Sequence, residues 1–274
     1  MSQRPKPLRI GPVDLGGKVP ALILGPCVIE SEKFVRRMAR KIAKICAAQQ
    51  VPFIFKASFD KANRTSVRSF RGMGAREGCA LLAEIGRELR MPVTTDIHSP
   101  NDVAIAAEFI DVLQIPAFLC RQTDLIRAAA ETGRVVNVKK GQFLAPWDVR
   151  PIAEKLEAFG AKQFFFTERG TTFGYNNLVA DMRSLAWIRE AGYHVVFDAT
   201  HSVQRPGGAG DSTSGDAALA PVLARAALAA GCDGVFLEVH ENPARALSDG
   251  PNQIPLKDLP KHLRMFTAIH AAVS

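Results

Sequence analysis

Pro92-Val-Thr-Thr-Asp-Ile-His-Ser-Pro-Asn-Asp102 decides the fold. A short β-type apolar run, Pro92–Thr95, is followed by a polar residue, Asp96. Ser99-Pro-Asn-Asp102 then reads as a helix start, with Ser99 as N-cap and Pro100 at the first helical position. The same alternation recurs along the chain. Strands are predicted at Ala21–Leu24, Pro52–Phe55, Pro92–Thr95, Asp111–Ile115, Val135–Val138, Gln163–Thr167, His194–Phe197 and Gly234–Leu237. They are near-continuous Val, Ile, Phe and Leu, as expected of strands covered on both faces. Gly133, Gly160 and Gly192 read as helix stops. Eight β/α units in 274 residues predict a single-domain (β/α)8 barrel, with a doubly wound open sheet as the alternative. Ahead of them, in residues 1–20, Leu8-Arg-Ile-Gly-Pro and Gly17-Lys-Val-Pro are expected to pair as a hairpin capping the barrel bottom.

Composition narrows the function. The hydrophobic fraction of 47% supports one large core, and the net charge is +8 with a pI near 9.4. Arg36, Arg37, Arg40, Lys41 and Lys44 share one helix face opposite Val35, Met38, Ile42 and Ile45, which reads as a solvated face. No basic stripe interleaved with aromatics argues for nucleic acid. Cys27, Cys46, Cys79, Cys120 and Cys232 are odd in number and scattered, which favours a reducing compartment over a disulfide framework. The N-terminus leads into no long apolar segment, and Ala217–Ala230 is too short to span a membrane. The glycine-rich segment Gly207–Gly215 lacks the GK[ST] of a P-loop, and suits a mobile lid.

Catalytic groups of such barrels come from the C-terminal ends of several strands. Here those ends read Cys27, Lys56, Asp96, Gln114, Lys139, Arg169, His201 and Glu238, with Asp249 in the loop after the last strand. The loop Lys56–Ser66 adds Lys61, Arg64 and three hydroxyls. Together with Lys56, Lys139 and Arg169 it directs cations at one mouth, which suits a ligand carrying several negative charges. Cys27, His201, Glu238 and Asp249 form a mixed soft and hard ligand set, suited to Zn²⁺, Fe²⁺, Mn²⁺ or Co²⁺ rather than Ca²⁺. His98 and His240 are alternative ligands, whereas Cys46 and Cys232 read as small core residues.

Several motifs carry a resemblance: Gly25-Pro-Cys-Val-Ile-Glu-Ser31, Lys56–Ser66, Thr95-Asp-Ile-His98, Gln114-Ile-Pro-Ala-Phe118, Asn137-Val-Lys-Lys-Gly-Gln142, Thr167-Glu-Arg-Gly-Thr-Thr-Phe-Gly174, Asp198-Ala-Thr-His-Ser-Val-Gln204 and Ser248-Asp-Gly-Pro-Asn252. Together they resemble the 3-deoxy-D-manno-octulosonate 8-phosphate synthase family over nearly the whole chain. The resemblance implies a barrel, usually a homotetramer, that condenses phosphoenolpyruvate with D-arabinose 5-phosphate. It also implies a cytoplasmic enzyme of lipopolysaccharide synthesis, with no nucleic acid or membrane partner. Lys56, Ser58, Gln114, Lys139 and Arg169 resemble the phosphoenolpyruvate pocket. Lys61, Asn63, Arg64, Thr65, Asp96 and Phe118 resemble the sugar phosphate pocket, with Arg64 and Thr65 serving a neighbouring subunit. Thr65 stands where the family commonly has serine. Lys61, Asp96, His201 and Lys139 would carry the proton transfers and substrate activation. Cys27, in place of the asparagine of metal-free members, implies the metal-requiring class. The related 3-deoxy-D-arabino-heptulosonate 7-phosphate synthases usually show Lys-Pro-Arg-Thr-Ser where this chain has Lys61-Ala-Asn-Arg-Thr-Ser66, so Asn63 favours the five-carbon sugar. A non-catalytic barrel binding a phosphorylated metabolite is the alternative from another class.

Overall fold

A computed structural model describes residues 5–64, 66–205 and 214–274. Eight parallel strands run β1 Ala21–Gly25, β2 Phe53–Lys56, β3 Val93–Asp96, β4 Val112–Ile115, β5 Val135–Lys139, β6 Phe164–Glu168, β7 Val195–Asp198 and β8 Gly234–His240. Each pairs in parallel with the next, and β8 returns to β1 with Gly234 opposite Ala21 and Glu238 opposite Gly25. The circuit is therefore closed, which excludes the open doubly wound sheet. Helices α1 Glu32–Ala48, α2 Ala75–Leu89, α3 Pro100–Phe109, α4 Thr123–Glu131, α5 Val149–Ala158, α6 Arg183–Glu190, α7 Ala220–Ala229 and α8 Leu259–Val273 follow the strands in turn. The main core lies between them and the strands.

Local sequence explains the joins. Ser99 Oγ accepts the Asp102 amide at 3.2 Å and opens α3 as predicted. Gly133, Gly160 and Gly192 have positive φ just beyond α4, α5 and α6. Gly25 ends β1 because a Cβ there would lie 1.8 Å from the Lys56 carbonyl oxygen. The expected solvated face of α1 carries surface ion pairs: Arg36 meets Glu32 and Glu84, Arg40 meets Glu88, and Arg37 and Lys41 meet Glu241. These pairs are partly exposed and add little stability each.

The structure corrects two boundaries. The hairpin pairs Leu8–Ile10 with Val13–Leu15, and Gly17-Lys-Val-Pro only leads into β1. The turn falls at Gly11, at φ 57°, so alternation puts Leu8, Ile10, Val13 and Leu15 on one face. That face packs on Ala21, Ile23, Ile54, Val112, Val135, Phe165, Val196 and Phe236 and plugs the barrel bottom. Strand β8 runs on to His240 because Val239 and His240 find partners in Ile254 and Pro255. Of the expected lid, residues 207–213 lie outside the described residues, whereas Ser214 and Gly215 pair with Arg205 and Gln204.

Candidate active site and metal centre

Two buried lysines define the chamber at the C-terminal end of the barrel. Lys56 ends β2, and its Nζ lies 2.8 Å from Glu238 Oε1 and 3.0 Å from the Cys27 carbonyl oxygen. Lys139 ends β5, with Nζ 2.6 Å from Asp198 Oδ2. Both ammonium groups sit over the Phe236 ring, at 5.5 and 4.0 Å from its centroid. A buried ammonium needs a close anion, and the barrel supplies one for each lysine. Lys61 Nζ stands 4.0 Å from Glu238 Oε1. Burial works to lower its pKa, but Cys27, Glu238, Asp96 and Asp249 outweigh that and hold it well above the usual lysine value. Arg169, just past β6, donates through Nη2 to the His201 carbonyl at 3.0 Å and to Gln204 Oε1 at 2.7 Å.

Opposite these cations lie acceptors. Cys27 follows β1, Glu238 lies within β8 and Asp249 lies in the loop beyond it. One ligand atom from each falls within 4.8 Å of the other two. Cys27 Sγ is 2.9 Å from Ser248 Oγ and 3.5 Å from Asp249 Oδ2. Burial, aided by Glu238, pushes the Cys27 thiol up. Glu238 is also buried, yet the charges of Lys56, His201 and Lys61 hold its carboxyl down at about 2. Its Oε2 is buried without a hydrogen-bond partner. His201, in the short helix His201–Val203, points Nε2 toward the group, 3.7 Å from Glu238 Oε1 and 4.0 Å from Asp249 Oδ2. A thiol, two carboxylates and an imidazole facing one another, with an unsatisfied carboxylate oxygen among them, fit a divalent cation. The alternative ligands face other carboxylates: His98 Nδ1 stands 3.6 Å from Asp102 Oδ2 and His240 Nε2 3.3 Å from Glu30 Oε1.

The remaining predicted residues divide. Ser58 Oγ and Gln114 Nε2 both donate to Asp96, one to each carboxylate oxygen. Burial raises the Asp96 pKa, but Lys56, Lys61 and Lys139 outweigh it and keep the carboxyl well below its ordinary range. Arg64 turns toward its own chain, donating to the Leu247 carbonyl at 3.0 Å and standing 3.8 Å from Asp249 Oδ1. Asn63 is exposed and Phe118 is 54% exposed, so neither is drawn into the chamber of this single chain. Thr65 lies outside the described residues.

Sequence reasoning missed Asp198, which ends β7 and accepts from both Lys139 and His201. Asp198 is the last residue of β7, so reading strand ends points to it as well as to His201 three residues on. Sequence reasoning also passed over Asn137 and Thr167, buried polar residues on β5 and β6.

The model of the DAHP synthetase I family matches residues 8–273. The chain is 57% identical over 265 residues to the 2-dehydro-3-deoxyphosphooctonate aldolase of Pelobacter propionicus, covering 96% of this chain and 97% of that one. The chain belongs to this family of aldolases. Relatives of the same name from Cyanothece sp. and Synechococcus sp. are 58% and 59% identical over 254 and 250 residues. They cover 93% and 91% of this chain, and 93% and 88% of their own lengths. Matches of this extent take in all eight barrel strands of the aldolase fold and the chamber at their ends.

Proposed function

We propose that this chain condenses phosphoenolpyruvate with D-arabinose 5-phosphate and water, giving 3-deoxy-D-manno-octulosonate 8-phosphate and phosphate. The name its relatives carry denotes the enzyme also called 3-deoxy-8-phosphooctulonate synthase. One observation carries the reading: Glu238 holds Lys56 Nζ at 2.8 Å through Oε1 and is also a member of the Cys27–Glu238–Asp249 cluster. Anion-binding lysines and a metal-type ligand set thus face one chamber.

In this reading Lys56, Ser58, Gln114, Lys139 and Arg169 hold phosphoenolpyruvate. Lys61, Asn63, Arg64, Thr65, Asp96 and Phe118 hold the sugar phosphate. Arg64 and Thr65 reach a neighbouring subunit's site in a homotetramer, and the exposed Phe118 ring supports an interface there. Positioning both substrates supplies much of the rate. C3 of phosphoenolpyruvate bonds to the aldehyde carbon, and an oxygen from water bonds to C2. One water proton ends on the new hydroxyl, and the other leaves with phosphate as the C–O bond of the hemiketal phosphate breaks. Lys61, Asp96 and His201 would be the candidates to move those protons, and Lys139 would balance phosphate charge. Cys27, His201, Glu238 and Asp249 would hold a divalent ion. When bound, it supplies Lewis-acid polarisation of the aldehyde oxygen or a lowered pKa for a bound water. The enzyme would act in the cytoplasm, supplying lipopolysaccharide synthesis.

Turnover in ¹⁸O-water tests the route. Label is expected in the keto product, and label found only in released phosphate rejects it.

A further inference from the structure

Thr167, Asn137, Gln114, Asp96 and Ser58 form a hydrogen-bonded line across strands β6, β5, β4 and β3 to the loop after β2. Thr167 Oγ1 donates to Asn137 Oδ1 at 2.7 Å, and Asn137 Nδ2 donates to Gln114 Oε1 at 3.0 Å. Gln114 Nε2 then donates to Asp96 Oδ1, while Ser58 closes on Asp96 Oδ2. Thr167, Asn137, Gln114 and Ser58 are fully buried and Asp96 nearly so.

The sense of the line follows from its end. An ionised carboxylate only accepts, and the lysines around Asp96 keep it ionised. Gln114 must therefore turn its amide nitrogen to Asp96, which turns its carbonyl oxygen to Asn137. Asn137 must answer with its own nitrogen, which leaves its oxygen for Thr167. Thr167 has one proton to give, and it is the donor that satisfies Asn137 Oδ1. Without it the Asn137 carbonyl oxygen is left buried and unpaired, and Asp96 alone then opposes a turn of the Gln114 amide.

We infer that Thr167 and Asn137 are positioning residues, which lock the Gln114 amide so that its donor side faces the anions of the site. Asp96 takes one of the two Nε2 protons, and the other serves phosphoenolpyruvate. A flipped Gln114 would present an oxygen to that anion and to Asp96 alike. The inference rests on the reading of Gln114 as part of the phosphoenolpyruvate pocket.

The test is calorimetric titration of the metal-loaded protein with phosphoenolpyruvate. Thr167→Val should weaken binding by about tenfold, the effect of one buried hydrogen bond, whereas Thr167→Ser should stay within about twofold. Thr167→Cys, a weak donor, should weaken binding in the same direction and serves if the valine variant does not fold. In a Gln114→Ala background Thr167→Val should add nothing, because its effect passes through Gln114. Wild-type affinity in Thr167→Val, or full additivity with Gln114→Ala, would overturn the inference. Exchange of the Gln114 and Asn137 side-chain amide protons separates this from the proposed reaction, since it needs no substrate. Slow exchange in wild type that persists in Thr167→Val contradicts the lock, and loss of protection in the variant upholds it.

Discussion

His201 Nδ1 lies 2.7 Å from Asp198 Oδ2, the same oxygen that holds Lys139 Nζ at 2.6 Å. With Asp198 accepting from Nδ1–H, a His201 that gives up its second proton would present the Nε2 lone pair toward Glu238 and Asp249. Asp198 thus orients both the His201 ring and the Lys139 ammonium group. Asp198→Asn keeps the shape and removes the charge. It should lower kcat/KM by about 100-fold and weaken divalent-metal binding by roughly 10–100-fold. Steady-state kinetics and chelator competition check this. Values within about twofold of wild type for both would remove Asp198 from the machinery.

The Cys27, Glu238 and Asp249 cluster could hold a divalent ion, which predicts metal dependence. Exhaustive dialysis against EDTA should abolish activity, and added Mn²⁺, Zn²⁺, Fe²⁺ or Co²⁺ should restore it. Cys27→Ser should weaken metal retention, read by atomic absorption after gel filtration, because a hydroxyl is a poorer ligand for these ions than a thiolate. Full activity after dialysis would refute the requirement.

Acid should erode the contribution of Asp96. Burial alone would raise its pKa, but the lysines around it depress it in the folded state. The stability it confers is therefore complete above the unfolded value, about 3.9, and is lost as pH falls below it. Denaturant unfolding at pH 7 should show Asp96→Asn less stable than wild type, and the gap should shrink toward pH 3. A gap that widens on acidification contradicts the sign.

The hairpin contributes stability rather than chemistry. Leu15 is fully buried among residues at the barrel bottom, opposite the chamber. Leu15→Ala should cost about 2–5 kcal/mol by denaturant unfolding and leave both KM values unchanged. A change in KM without loss of stability would show that the bottom plug communicates with the site.

Much of this was legible in the sequence. Strands buried on both faces leave a continuous apolar run, so all eight were found within a residue or two, apart from the far end of β8. That end depends on Ile254 and Pro255, distant partners that no local pattern reveals. The hairpin uses Val13–Leu15 rather than the expected Gly17-Lys-Val-Pro because packing against Phe165 and Phe236, which no local pattern reveals, selects it. Cys27, Glu238, Asp249 and His201 could be named because strand ends of a barrel converge. Asp198, Asn137 and Thr167 could not be ranked, because their significance lies in side-chain partners on neighbouring strands.

Substrate choice separates the two related condensations. Phosphate release from phosphoenolpyruvate should be measured with D-arabinose 5-phosphate and, in parallel, with erythrose 4-phosphate, using metal-loaded protein. Rapid release with the five-carbon sugar and little with the four-carbon one is the predicted result. Preference for erythrose 4-phosphate, or release with neither, would contradict it.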